Sequence, residues 1–135
     1  MHEDPEPLEP GDRLPLRFRD LDAFGHVYHA EFLTLLDEAR SRWFAGAGLE
    51  EPEVYVLVHL EIDWVSPLTL GDAAVRAAFE VESLGTTSIG LRETMYAADG
   101  RVVSRSRSVT VRWDQAAARP RKLSAEERAS LEALR

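Results

Sequence analysis

The stretch RFRDLDAFGHVYHAEFLTLLDEAR, residues 17–40, changes its period part-way along, and that change decides the fold. Leading into it, residues 13–19 (RLPLRFR) alternate: Leu14, Leu16 and Phe18 point one way, and Arg13, Arg17 and Arg19 the other. A period of two predicts a half-buried strand. Pro15 removes one backbone donor and favours a sheet edge at that end. Residues 20–28 (DLDAFGHVY) hold no period and read as a loop, with Gly25 free to take a positive φ. From about residue 29 to 46 the spacing becomes three and four. Phe32, Leu36, Ala39 and Trp43 form a stripe, widened by Leu33, Leu35, Phe44 and Ala47. This predicts a long helix with a broad apolar face. Glu38 and Arg42 form a favourable i,i+4 pair on it, and Gly46 and Gly48 supply the stop.

Beyond residue 50 the period returns to two. Over 54–64, Val54, Val56, Val58, Leu60, Ile62 and Trp64 alternate with Tyr55, Leu57, His59, Glu61 and Asp63, before Pro67 and Gly71 break the run. Over 73–84, Val75, Ala77, Phe79 and Val81 alternate with Arg76, Ala78, Glu80 and Glu82. Gly85 marks a turn, and 86–97 carries Ile89, Leu91 and Met95 on one face. Asp99-Gly100 is a hairpin signal. Over 101–113, Val103, Val109, Val111 and Trp113 oppose Ser104, Ser106, Ser108 and Thr110. Ser124 followed by Glu127 is a capping-box pattern that opens a short C-terminal helix over 124–135. The order is strand, long helix, then four strands read as a meander. That predicts an α+β domain with a mostly antiparallel sheet. Its open edges call for a partner, so a homo-oligomer is expected.

The chain has 135 residues, which suits one domain. Residues 1–12 (MHEDPEPLEPGD) carry five acids, no Lys or Arg, and three Pro, and read as a disordered acidic tail before the domain at 13–135. The net charge of −8 falls to −3 once that tail is set aside, so no nucleic-acid partner is expected: phosphate binding relies on basic surface. No cysteine is present, which excludes disulfide scaffolds, Cys-based zinc sites and Cys nucleophiles. No apolar run approaches the length of a membrane span, and the acidic N-terminus differs from a secretory signal. The expected location is cytoplasmic.

Chemically useful side chains gather in the loop before the long helix: Asp20, Asp22, Gly25, His26, Tyr28 and His29. The first N–H groups of a helix lack intrahelical partners and carry the positive end of its dipole. A carboxylate, an imidazole and such N–H groups together can hold and attack a carbonyl. Simpler readings exist. Either Asp suits a turn cap, His26 suits an exposed loop, and His29 suits a helix start. Asp20, Asp22, His26 and His29 are also metal-ligating types. They follow no HExxH pattern, though, and the expectation is no metal and no cofactor.

These residues resemble a known family. The 17–40 stretch is similar to the opening of the 4-hydroxybenzoyl-CoA thioesterase-like branch of the hotdog-fold acyl-CoA thioesterases. The match rests on Asp20-Leu21-Asp22, Gly25 and Glu38-Ala39-Arg40. Val27-Tyr28-His29-Ala30 looks most like the acyl-CoA thioesterases associated with the Tol–Pal system. Gly25-His26-Val27 looks more like fatty-acyl-CoA thioesterases, which usually continue with two Asn. Asp63-Trp64-Val65-Ser66-Pro67, Gly71-Asp72 and Leu84-Gly85-Thr86-Thr87-Ser88 resemble later family strands.

The resemblance implies a hotdog fold, in which a five- or six-stranded antiparallel sheet wraps one long helix. It also implies a homodimer or homotetramer with sites at the interface, acting on acyl-CoA. Asp22 is the implied catalytic carboxylate and His29 its assistant. Gly25, His26, Tyr28, Phe32 and Trp64 are the expected substrate contacts, Phe32 and Trp64 lining an acyl tunnel with Leu36. Plain core packing is the alternative for those three. The CoA phosphates are expected at surface arginines such as Arg92, Arg105 or Arg107. A hotdog dehydratase and a non-catalytic acyl-CoA binder are the alternative functions.

Overall fold

The computed structural model describes residues 13–135; the expected acidic tail, 1–12, lies outside them. Helix α1 spans His29–Gly46, as its period predicts. It buries Phe32, Leu35, Leu36, Ala39 and Phe44 against the sheet, and full burial of such side chains is worth about 1.5–3 kcal/mol each. Glu38 and Arg42 pair at 3.0 Å on its exposed side. Past its end, Gly48 takes the left-handed conformation (φ +82°) that releases the chain.

The strands are β1 (Leu14–Pro15), β2 (Tyr55–Trp64), β3 (Ala74–Leu84), β4 (Ser88–Ala97), β5 (Val102–Asp114) and β6 (Arg119–Pro120). They form one antiparallel sheet in the order β1-β3-β4-β5-β2, with β6 paired to β5. Asp99-Gly100 closes the β4–β5 hairpin, with Gly100 at φ +89°. Helix α2 (Ala125–Ala133) opens with the Ser124–Glu127 capping box and packs Leu131 into the core.

Three expectations need correction. The alternation over 54–64 does not keep one face: the register with β5 shifts between Leu57 and His59, so Tyr55 and Leu57, not Val56 and Val58, share a face with Leu60, Ile62 and Trp64. The strand read over 13–19 is only Leu14–Pro15, on the sheet edge that Pro15 favours. Asp20 accepts from the Arg17 N–H and guanidinium, winds residues 18–20 into a 3-10 turn, and leaves Phe18 80% exposed rather than on the buried face. The four later strands are also not a simple meander. β2 pairs with β5, and β3 pairs with β1 and β4. Residues 65–73 carry the chain from the β2 edge across the sheet to β3, beside β1, so no local hairpin joins β2 to β3.

The serine row of β5 faces α1. Ser106 and Ser108 each donate to the Glu93 carboxylate at 2.8 Å, and Arg40 of α1 grips the same carboxylate twice, at 2.6 and 3.0 Å. Arg40 and Glu93 are fully buried. A buried ion pair is tolerable only when its remaining hydrogen-bonding positions are filled, and here the two serines fill them.

Candidate active site

The loop between β1 and α1 is built around its first aspartate. The Asp20 carbonyl accepts from the Tyr28 N–H at 2.7 Å, which sets the entry to α1. Burial pushes the Asp20 carboxyl upward, but the Arg17 hydrogen bonds and charge outweigh it and hold the group below its usual range. Asp22 faces different surroundings. Its Oδ1 accepts from the N–H groups of Phe24 (2.8 Å) and His26 (3.2 Å). Oδ2 has no hydrogen bond to the described residues. Gly25 takes φ +79° and its N–H closes the turn onto the Asp22 carbonyl at 3.1 Å.

A second segment is laid against this loop. The Val27 N–H donates to the Leu68 carbonyl at 2.8 Å, and His26 bridges to Thr69. Between the two lies a cavity of roughly 330 Å³, within the range of small-ligand sites. Asp22, His26, Val27, His29, Phe32 and Trp64 face it from one side, and Val65–Leu68 with Val103 complete it. The Trp64 ring meets Phe32 edge-on at 5.9 Å and His29 at 6.5 Å. The N-cap of α1 is Tyr28, whose side chain makes no cap hydrogen bond. The first-turn N–H groups beside His29 therefore stay available to an acceptor.

Of the expected site residues, Asp22, His26, His29, Phe32 and Trp64 share this cavity. Gly25 and Tyr28 do not line it: Gly25 shapes the turn, and the Tyr28 ring leans on His29 at 4.3 Å. Arg92, Arg105 and Arg107 lie on the opposite face of the sheet, since they alternate with inward-facing Glu93 and Ser106. Arg92 pairs with Glu80 and Arg107 with Glu82 there. Arg101 is the basic residue beside the cavity, bonding Ser66 Oγ and the Pro67 carbonyl at 3.2 Å, but Asp72 and Asp99 hold it. Only the Asp63–Pro67 motif hinted at residues 65–68. Among the described residues, no three His, Asp or Glu side chains are placed to hold a metal ion.

The model of the thioesterase-like superfamily matches residues 16–131. The chain belongs to that superfamily. It is 31% identical to a thioesterase from Thermus thermophilus solved with coenzyme A and Zn, over 90% of both chains, with a TM-score of 0.77. It is also similar in fold to a 1,4-dihydroxy-2-naphthoyl-CoA thioesterase from Synechocystis (18% identity, 90% and 94% covered, TM-score 0.75). A Staphylococcus aureus protein solved with CoA has the same fold (13% identity, 90% and 80% covered, TM-score 0.78). No curated protein sequence matches the chain. The antiparallel sheet with α1 packed on it is the hotdog fold of this superfamily. No helix of the described residues is long and apolar enough to cross a membrane.

Proposed function

We propose that this thioesterase-like protein hydrolyses acyl-CoA thioesters to free acid and CoA, with Asp22 as the catalytic carboxylate. The observation that carries the reading is the convergence of Asp22, His29 and an uncapped helix N-terminus on one cavity. The thioester carbonyl oxygen accepts from the first-turn N–H groups of α1, where the helix dipole favours developing negative charge. Asp22, oriented by its two backbone donors, then acts at the carbonyl carbon. As a base it takes a proton from water while the hydroxide adds; as a nucleophile it adds directly and forms an anhydride that water later opens. In both routes the C–S bond breaks, its electron pair leaves on sulfur, and the thiolate is protonated. Oxygen-18 from labelled water enters Asp22 in a single turnover only by the second route. His29 positions water or the carboxylate, and His26, Phe32 and Trp64 contact the substrate. No step is routed through a metal or redox cofactor.

The working form in this reading is a homodimer, or a tetramer of two dimers, in the cytoplasm. Among the described residues β2 is an edge strand paired with β5 alone, and it exposes Val56, Leu57, Val58 and Trp64, followed by Val65. A long apolar edge left open is an aggregation hazard, and pairing with a second β2 removes it. Within the superfamily, the Val27-Tyr28-His29-Ala30 run supports a place near the Tol–Pal-associated branch of the 4-hydroxybenzoyl-CoA thioesterase-like enzymes.

The test is to incubate purified protein with short-, medium- and long-chain acyl-CoAs and follow free CoA with a thiol reagent. Catalytic release is expected. Saturable binding with no release would make the protein an acyl-CoA binder instead.

A further inference from the structure

Among the described residues, 65–73 join no strand of the sheet before β3 begins, yet Val65–Leu68 form one wall of the cavity. The Val65 and Ser66 N–H groups hang from the Val103 carbonyl at 2.7 and 3.2 Å, and the Ser66 hydroxyl donates to the Val102 carbonyl at 2.8 Å. Beyond Ser66 the segment is gripped from the side by Arg101, which follows the Asp99-Gly100 turn. Its Nε donates to Ser66 Oγ, and its Nη2 to the Pro67 carbonyl and Asp72 Oδ1, each at 3.2 Å. Asp99 presets the grip: Oδ1 accepts the Arg101 N–H at 2.9 Å and Oδ2 accepts Nη1 at 3.3 Å. Reaching acceptors on three sides at once takes the planar fork of an arginine.

From Asp72 the hydrogen bonds lead to the loop that presents Asp22. Asp72 Oδ2 accepts from the Thr69 N–H at 2.8 Å and the Thr69 hydroxyl at 3.4 Å. That N–H, with the Arg101 charge, outweighs burial and holds the Asp72 carboxyl below its usual range. Thr69 bridges to His26, and beside it the Leu68 carbonyl accepts from the Val27 N–H at 2.8 Å. His26 holds Asp22 both ways: its N–H donates to Asp22 Oδ1 at 3.2 Å, and its carbonyl accepts the Asp22 N–H at 2.7 Å. Ala73, directly after Asp72, takes φ +64°, a strained setting that persists only where its surroundings enforce it.

We propose that Arg101 is a positioning residue: it clasps the 65–72 segment to the β4–β5 turn and so fixes, through Thr69 and His26, the aim of Asp22 into the cavity. This rests on the thioesterase reading above, in which the aim of Asp22 sets the rate. Arg101 does not itself line the cavity, and Asp72 and Asp99 occupy its charge, so it serves as a clasp rather than as a docking point for an anionic substrate. A displacement of about 1 Å at a reacting group costs up to about 10²-fold in rate, so a clasp outside the cavity is felt within it. Its cost to the fold is small. The Arg101 side chain is 40% exposed, and ion pairs so exposed add little to global stability. Removing it loosens the segment and leaves the domain folded.

The experiment measures kcat and KM on one acyl-CoA, melting temperature, and amide hydrogen exchange in wild type, Arg101→Ala, Arg101→Lys and Asp72→Asn. In Arg101→Ala, kcat falls about tenfold or more while KM stays within about twofold. Arg101→Lys keeps the charge without the fork and recovers little of the loss. Asp72→Asn lowers kcat in the same direction and serves if Arg101→Ala does not fold. Exchange quickens about tenfold or more at the Asp22, Val27 and Thr69 amides and stays unchanged in the β4 core. A rise in KM at unchanged kcat, restored by Arg101→Lys, would make Arg101 a charge that meets the substrate and overturns the inference. So does an unchanged kcat in a folded variant, or a fall in kcat that only tracks the loss of folded protein. Wild type that hydrolyses no acyl-CoA would sink the thioesterase reading. Exchange would then decide the clasp alone: quickening at Val27 and Thr69 upholds it, and unchanged protection there overturns it.

Discussion

Asp20 and Asp22 lie two residues apart and meet opposite surroundings: the Asp20 side chain is fully buried against Arg17, and the Asp22 side chain borders the cavity. The difference comes from the 3-10 turn over Phe18–Asp20. The turn points the first carboxylate back at the Arg17 backbone and guanidinium, and releases the second toward the start of α1. One carboxylate holds the loop, and the other is presented by it.

That division predicts separable mutant effects. Asp20→Asn replaces an acceptor with an amide N–H facing Arg17 donors. It should lower stability by about 1–3 kcal/mol, since a buried hydrogen-bonding group loses its partner. Chemical denaturation of Asp20→Asn and Asp22→Asn side by side checks this, with Asp22→Asn expected near wild type.

His29→Ala should reduce kcat/KM by roughly 10–100-fold, through lost positioning. The backbone N–H of residue 29 survives the change, and so does the helix N-terminus. Steady-state kinetics on one acyl-CoA would reveal it. A loss as deep as that of Asp22→Asn would make the imidazole the proton carrier.

Val58 sits at the β2 bulge, exposed on the open edge. Val58→Lys should shift a dimer toward monomer, because a charge on an edge strand opposes edge pairing. Light scattering at micromolar concentration should report at least a dimer for wild type; a wild-type monomer would contradict the edge-pairing account.

The α2 cap should make stability fall in acid. The Arg121 hydrogen bonds outweigh burial and pull the Glu127 carboxyl from 4.5 to about 2. The folded value lies below the unfolded one, so this stabilisation is complete above about pH 5 and is lost as pH falls toward 2. It amounts to about 3 kcal/mol. Glu127→Gln should be less stable at neutral pH and show a flatter acid limb in urea titrations from pH 7 to 3.

The long helix was legible because its apolar stripe and terminal glycines are local signals, as are Asp99-Gly100 and the Ser124–Glu127 box. The place of β2 was not. Its pairing with β5 is set by residues far apart in sequence, and nothing in the alternation of 54–64 names a neighbour. Ser106 and Ser108 of β5 face inward for a reason no period reveals: they complete the hydrogen bonding of a glutamate one strand away. At the site, Asp22, His26, His29, Phe32 and Trp64 could be chosen from the loop, helix and Trp-bearing motif. Leu68 and Val103 arrive through the long-range Val27–Leu68 contact and the β5 pairing, which only the folded chain displays.

The most direct test of the central claim is kcat/KM for CoA release by Asp22→Asn beside wild type, on the best acyl-CoA found, with melting temperatures recorded for both. The account predicts a loss of about 10²-fold or more with little change in melting temperature, because the amide keeps the shape and removes the base or nucleophile. Wild-type turnover in a folded Asp22→Asn would contradict it.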